Sequence, residues 1–334
     1  MVRATQSEII EAVETLRTGN LVAFPTETVY GLGANAADPV AVRKIFELKG
    51  RPPDHPVIVH LDNPRYLHRW VSDVPPIAEA LAAKFWPGPL TLILPKAENV
   101  NDLVTGGQAS IGIRVPSHPM AQQLLTAFGG GIAAPSANRF GRLSPTKPEH
   151  VRDEFGSLVK VVLDGGESQI GLESTIVSCL GNVAVLLRPG FITRSQLEQT
   201  VGRLATGGDV PRVPGDRALH YAPATPVEIV SSDELEARAS EIAVRHQKVA
   251  VLALRPPLQT QRHMTWINAG KKPDSYAHSM YNHLRTLDRA GCVKIFVQAP
   301  PQEERWAAVL DRLQRASGLG ADGPEADTLE ASAG

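Results

Sequence analysis

Apolar residues recur at helical spacing near the start of the chain. Ile9, Ile10, Val13 and Leu16, behind Ser7 as a cap and ahead of Gly19, predict a first helix. Residues 21–24 are a short apolar run stopped by Pro25, which reads as a buried strand. Asp38-Pro39 sets a cap before a proline at the first helical position, and predicts a helix to Leu48 with Gly50 beyond it. A helix is predicted at 77–85, halted by Trp86-Pro87-Gly88-Pro89, and strands at 57–61, 90–94, 111–115, 132–134, 161–163, 175–180 and 183–187. The last two strands follow one another with no room for a crossover, so they predict an antiparallel pair in a mixed sheet with helices.

Arg188-Pro189-Gly190 closes this region, a first domain over 7–193. Residues 194–224 are rich in Gly, Pro and Arg, with little apolar periodicity, and read as a linker ending in His220-Tyr221-Ala222-Pro223. The rhythm then changes. Strands at 227–230, 249–254, 264–267 and 293–297 alternate with helices at 232–246, 275–290 and 303–316, which predicts a small α/β domain over 225–317 with a mainly parallel sheet. The small, acidic stretch 318–334 reads as a disordered tail.

Composition narrows the function. The chain has 334 residues, 43% of them hydrophobic and 21% charged, with a net charge of −1. No global basic field advertises nucleic acid, so RNA contact would need a local patch. Cys179 and Cys292 form no CxxC pair, which argues against a disulfide framework and a structural zinc site. No signal peptide opens the sequence and no apolar run approaches a membrane span, so a cytoplasmic protein is expected.

Six motifs carry candidate chemistry. Lys49-Gly50-Arg51-Pro52-Pro53-Asp54-His55-Pro56 fixes two cations in a proline-stiffened loop, which suits a polyanion such as a nucleoside triphosphate. Pro25-Thr26-Glu27-Thr28-Val29-Tyr30-Gly31 reads equally as a capped turn or as a hydroxyl-lined shelf for a small polar ligand. Arg114 lies inside the apolar strand Ser110-Ile111-Gly112-Ile113-Arg114-Val115 and needs an anion, either an internal carboxylate or a ligand's. Ala134-Pro135-Ser136-Ala137-Asn138 ends a strand in small residues that let a ligand approach the backbone, and Ser144 follows in the same loop. Ser174 of Glu173-Ser174-Thr175 has no neighbouring base and is not read as a nucleophile. His60, alone in a strand, reads more readily as a satisfied half-buried residue than as a catalyst. Gly31-Leu32-Gly33-Ala34-Asn35-Ala36 fits a loose dinucleotide fingerprint, but its spacing from strand and helix argues against that use.

As an ordered set, Pro-Thr-Glu-Thr-Val-Tyr-Gly-Leu, Lys-Gly-Arg-Pro, Gly-Ile-Arg-Val-Pro, Pro-Ser-Ala-Asn, Glu-Ser-Thr and Leu-Arg-Pro-Gly resembles the threonylcarbamoyl-AMP synthases, the YrdC/Sua5 family. His220-Tyr221-Ala222-Pro223 and the segment beyond resemble its longer type. The resemblance implies a YrdC-like twisted mixed sheet with helices, followed by a smaller Rossmann-like α/β domain. It implies condensation of L-threonine, bicarbonate and ATP to threonylcarbamoyl-AMP and pyrophosphate, with Mg2+ carried on the ATP phosphates. The product would pass to tRNA threonylcarbamoyl transfer enzymes for the t6A modification, and direct tRNA contact is left open.

By the same resemblance, Thr28, His60, Arg114, Ala134 (through its backbone) and Ser174 line a threonine pocket. Arg51, His55, Ser110, Ser136, Ser144, Arg188 and Tyr221 contact ATP. Because a carbamate hydrolyses easily in water, the pocket is expected to close, with the linker ending in Tyr221 as the candidate lid. Lys49, Arg51, Ser136 and Asn138 stand near the phosphates and carbamate as the catalytic set. His55, where many relatives carry Asn, and Val213-Pro214-Gly215-Asp216 depart from the family pattern. The alternative is an RNA-binding protein that uses the concave sheet.

Overall fold

The fold comes from a computed structural model that describes residues 5–205, 210–215, 217 and 219–319. Asp216, and the expected tail from residue 320 onward, lie outside the described residues. The strands are β1 (Val22–Phe24), β2 (Gly31–Asn35), β3 (Ile58–His60), β4 (Leu90–Pro95), β5 (Ser110–Arg114), β6 (Ile132–Ala133), β7 (Val161–Val162), β8 (Thr175–Ser178), β9 (Val185–Arg188), β10 (Val227–Val230), β11 (Val249–Ala253), β12 (Met264–Asn268) and β13 (Ile295–Gln298). The helices are α1 (Gln6–Arg17), α2 (Pro39–Lys49), α3 (Pro76–Phe85), α4 (Asp102–Thr105), α5 (Pro119–Phe128), α6 (Pro148–Phe155), α7 (Arg194–Val201), α8 (Leu235–Ala243), α9 (Pro273–Asp288) and α10 (Ala307–Ala316).

Among the described residues, β1 to β9 form one mixed sheet in the order β7-β1-β2-β6-β3-β5-β4-β8-β9. β8 and β9 pair antiparallel, while β3–β5 and β4–β8 are parallel. Side chains alternate across the sheet with the strand's period of two. Val22 and Phe24 join a core with α1 and α5, while Ala23 faces the larger core on the other side. The second sheet, β10-β13-β11-β12, is parallel throughout. α8 covers one of its faces. The other face packs on α9 and α10, and the same apolar cluster takes in Val29, Leu143, Leu172 and Tyr221 from the first part of the chain. The two sheets therefore share a core at the place where the candidate site lies.

Four local readings differ. The first helix is capped by Thr5, whose side chain and Glu8 form a reciprocal capping box, and not by Ser7. Gly31 and Gly33 belong to β2, paired antiparallel with β1, and a Cβ at Gly33 would come within 2.9 Å of the Phe24 ring and 2.8 Å of Ile132. Their bareness admits a neighbouring side chain. Lys49 is not in a loop: it ends α2, and the chain turns at Gly50 with φ 63, a left-handed cap that glycine adopts without strain. The head of the expected linker is α7, begun by a capping box between Thr193 and Gln196 that outweighs its weak apolar periodicity.

Candidate active site

Strand ends of the large sheet supply the side chains of one cavity. β3 presents His60, β5 ends in Arg114, β6 leads into Ala134 and Ser136, β8 begins after Glu173 and Ser174, and β9 ends in Arg188. Thr26, Thr28 and Arg51 complete that wall, and Pro214, Gly215, His220 and Tyr221 of the 194–224 segment close over it. All five residues expected around threonine line this cavity, as do Arg51, Ser136, Arg188 and Tyr221 from the set expected around ATP. The cavity measures about 50 Å³.

Arg114 has a carboxylate of its own. It is 4% exposed, and its Nη2 lies 2.7 Å from Glu27 Oε1. Its Nη1 donates to Thr28 Oγ1 at 2.8 Å. Thr26 Oγ1 donates to Val29 O at 2.6 Å, so the 2.8 Å contact between the two threonine hydroxyls runs from Thr28 to Thr26. Both readings of the Thr26–Thr28 segment meet here, since the hydroxyls stabilise the turn and also form the cavity wall. His60 pairs across from Arg114 in the sheet. Burial, reinforced by the Arg114 charge, pushes its imidazole down to about 3, so it is neutral at physiological pH. Its Nδ1 is buried and has no hydrogen-bond partner among the described residues.

Arg188 is buried without such a counter-ion. It donates to Ser174 O at 2.9 and 3.2 Å, to Ser174 Oγ at 3.2 Å and to Pro214 O at 2.7 Å. Among the described residues it makes no ion pair within 4.0 Å. Ser174 is therefore a joint, and its hydroxyl also meets Thr91 Oγ1 at 2.8 Å. Tyr221 sits beyond at φ 57, a conformation costly for a bulky residue. A Cβ at Gly215 would stand 2.0 Å from the Tyr221 hydroxyl.

The remaining candidates lie around this cavity without lining it. Lys49 is buried, and its ammonium donates to Ser136 O at 2.6 Å and to Asn138 O. Burial, then the charge of Arg51, push it well below the usual lysine range. Asn138 Nδ2 donates to Arg139 O and Arg142 O, so it shapes the loop it belongs to. The two cations of the Lys-x-Arg motif diverge: Arg51 donates to Pro56 O and lies over the Phe140 ring. His55 meets Phe140 edge-on and accepts from Arg217 at 3.1 Å. Ser110 opens β5, roughly 13 Å along the strand from Arg114 at about 3.3 Å per residue. The Ser144 hydroxyl donates to Glu173.

Sequence reasoning missed Glu27, Phe140, Glu173, Tyr281 and Arg312 as parts of this site. Arg312 could have been found by the argument used for Arg114. It lies on α10 in helical register with Val309, Leu313 and Ala316, a guanidinium on an apolar face. A roomier cleft of about 590 Å³ exists elsewhere, between Asn35, Asp62, Trp70 and Gly131, and contains none of the candidate residues.

The architecture and the cavity define a class first: an α/β protein with neighbouring cationic and hydroxyl-lined walls, suited to small polar anions. Residues 14–190 match the family described as "Telomere recombination", of the Sua5, YciO and YrdC proteins, and residues 192–318 match "Threonylcarbamoyl-AMP synthase, C-terminal domain". The chain belongs to the threonylcarbamoyl-AMP synthase family. It is 38% identical over 329 residues to the threonylcarbamoyl-AMP synthase of Pyrococcus abyssi, covering 95% of this chain and 96% of the relative. It is 38% identical over 322 residues to that of Bacillus subtilis, covering 93% of each. It is similar to the crystal structure of P. abyssi Sua5 complexed with L-threonine, with a TM-score of 0.86, 37% identity, and coverage of 95% of this chain and 96% of that one. Escherichia coli YciO matches 56% of the chain at a TM-score of 0.50 and 27% identity.

Proposed function

We propose that this protein is an L-threonylcarbamoyladenylate synthase, a nucleotidyltransferase that condenses L-threonine, bicarbonate and ATP to threonylcarbamoyl-AMP and pyrophosphate in the cytoplasm. Its product would serve t6A formation in tRNA through downstream transfer enzymes. The observation that carries this reading is the shared cavity: the residues expected around the amino acid and the guanidinium groups expected around the triphosphate line a single hollow. The family assignment does not favour direct RNA binding as the primary role.

Threonine binds against Thr28, Arg114, Ala134, Ser174 and the neutral imidazole of His60. Its ammonium loses a proton to solvent, and the neutral amine attacks the carbon of bicarbonate; a C–O bond breaks and water leaves, which gives the carbamate. A carbamate oxygen attacks the α-phosphorus of ATP and pyrophosphate leaves. No side-chain nucleophile is needed, so positioning and charge neutralisation by Arg51 and Arg188 do most of the work. Lys49 holds the carbonyls of Ser136 and Asn138 in place.

Glu173 is the one carboxylate among the described lining residues, and Arg312, Tyr281 and Ser144 already engage it. That donor set suits Mg2+ bound through the nucleotide's phosphates, where it would offset their charge. Ligand pockets usually measure about 300–1,000 Å³. The cavity's 50 Å³ is too little for ATP, so Pro214, Gly215, His220 and Tyr221 withdraw to admit it and return to exclude water.

The test is pyrophosphate release from ATP, with the product identified by mass spectrometry as threonylcarbamoyl-AMP. Release should require both threonine and bicarbonate. Equal release without threonine would overturn the proposal.

A further inference from the structure

Glu173 is buried where the two sheets meet, and its partners come from both. Arg312 of α10, 0% exposed, donates from Nε to Glu173 Oε2 at 2.8 Å. Tyr281 of α9 directs its hydroxyl toward both carboxylate oxygens, at 2.9 and 3.1 Å. From the large-sheet side, the Ser144 hydroxyl donates to Oε1. The same guanidinium reaches Pro189 O at 3.1 Å, next to Arg188, and pairs with Asp311. Its plane lies 5.2 Å from the centre of the Tyr221 ring. α10 also receives the closing segment, because His220 N–H donates to Arg315 O at 3.1 Å and Arg315 Nη1 donates to Arg217 O at 2.8 Å.

We infer that Arg312 and Tyr281 are positioning residues for the nucleotide, through which the second α/β unit builds one wall of the active site. The inference rests on the synthase reading above and extends it to residues outside the large sheet. A surface domain appended for stability has no need to bury a guanidinium against a carboxylate, because a buried pair is weak as a source of stability. Here the pair has a geometric result. Glu173 is locked by Arg312 and Tyr281, so its other oxygen fixes the Ser144 hydroxyl. The Arg312 face fixes Tyr221, whose ring lies over the cavity. Ser144 and Tyr221 both belong to the set expected around ATP. Arg114 is held instead by Glu27, and Thr28 by Arg114, with no hydrogen bond from the second α/β unit among the described residues. The electrostatics agree with this arrangement. Burial raises the Glu173 carboxyl, but the charges of Arg312 and Arg188 and the hydrogen bonds from Arg312 and Ser144 together outweigh it and keep the group below its usual range.

The test compares Tyr281→Phe and Arg312→Ala with the parent, using KM for each substrate, calorimetric binding of ATP and of threonine measured separately, and melting temperature. Loss of a hydrogen bond to a charged group is expected to raise the ATP KM and Kd of Tyr281→Phe roughly tenfold, with the threonine constants within about twofold. Arg312→Ala should show a larger change of the same kind, and Arg312→Lys should recover part of it. Tyr281→Phe retains the ring and its packing, so it reads the positioning role even if Arg312→Ala does not fold. Unchanged ATP constants in a folded Tyr281→Phe, or equal losses for ATP and threonine, would overturn the inference. ATP binding is measured directly, so the inference remains testable if the parent gives no threonine-dependent pyrophosphate release, a result that would instead sink the synthase reading.

Discussion

The two walls of the cavity treat their arginines differently. Arg114 arrives with its own anion, Glu27 at 2.7 Å, and with a hydroxyl relay through Thr28 and Thr26. Among the described residues, Arg188 hydrogen-bonds only carbonyl and hydroxyl oxygens of Ser174 and Pro214, and the Glu173 carboxylate that favours its charge is already paired with Arg312. A paired guanidinium offers direction and hydrogen bonds to a ligand of low charge. A guanidinium held by neutral oxygens still presents most of its positive charge, which is what a polyanion needs. The amino-acid side is thus balanced before its ligand arrives, whereas the nucleotide side awaits an anion.

The largest effect should come from breaking the balanced side. Glu27→Gln leaves Arg114 buried without its counter-ion, and the loss of one member of such a pair costs about 3–5 kcal/mol of stability. Urea denaturation of the variant measures it. A loss below about 1 kcal/mol would mean that Glu27 does not set Arg114's charge balance, and the contrast between the walls would fail.

Arg188→Ala tests the other wall. Removal of this cation should lower kcat/KM for ATP about a hundredfold, equivalent to roughly 2.7 kcal/mol, with a smaller loss of stability than Glu27→Gln because Arg312 still pairs with Glu173. Arg114→Ala, by contrast, should raise the threonine requirement more than the ATP requirement. If both arginine variants acted alike on both substrates, the two walls would not divide the ligands.

Gly215→Ala sharpens the comparison further. Gly215 has φ +84, and the added Cβ would collide with the Tyr221 hydroxyl, so the closing segment must shift. Its contacts lie on the Arg188 side, through Pro214. An ATP KM raised roughly tenfold with threonine binding unchanged is expected. Steady-state kinetics with each substrate varied in turn would show it, and an equal rise for both would place the segment over the whole cavity.

Much of this was legible in the sequence because punctuation and periodicity are local. Asp38-Pro39 does cap α2, through Asp38 Oδ1 to the Val40 N–H, and the alternation after residue 225 gave a parallel sheet. Arg114 stood out because an apolar strand cannot carry an unpaired guanidinium. What stayed hidden depends on distant pairings. Nothing local reveals that Phe24 lies over the glycines of β2, or that Glu173 meets an arginine 139 residues later in the chain. Lys49 and Arg51 looked like one cationic pair from their spacing. Gly50 turns the chain between them, and they serve different neighbours.

The smallest effect concerns the histidine on each wall. His60 beside Arg114 and His220 near Arg51, Lys49 and Arg188 are both pushed down to about 3, in each case mainly by burial. An unfolded histidine titrates near 6.5, so between about 6.5 and 3 the unfolded chain binds more protons than the folded one. Stability is therefore complete above about 6.5 and is lost as pH falls through that window, by at most about 1.4 kcal/mol per pH unit for each histidine. Urea midpoints at neutral and mildly acidic pH should show this loss, and His60→Asn and His220→Asn should each flatten it. A bound triphosphate supplies the anion missing from the Arg188 wall and lies nearer His220. It should therefore ease protonation there, and the loss attributable to His220 should shrink on addition of ATP while that of His60 stays the same. If ATP relieved His60 equally, the nucleotide would lie against both walls, and the division of charge between Arg114 and Arg188 would not be what sorts the two substrates.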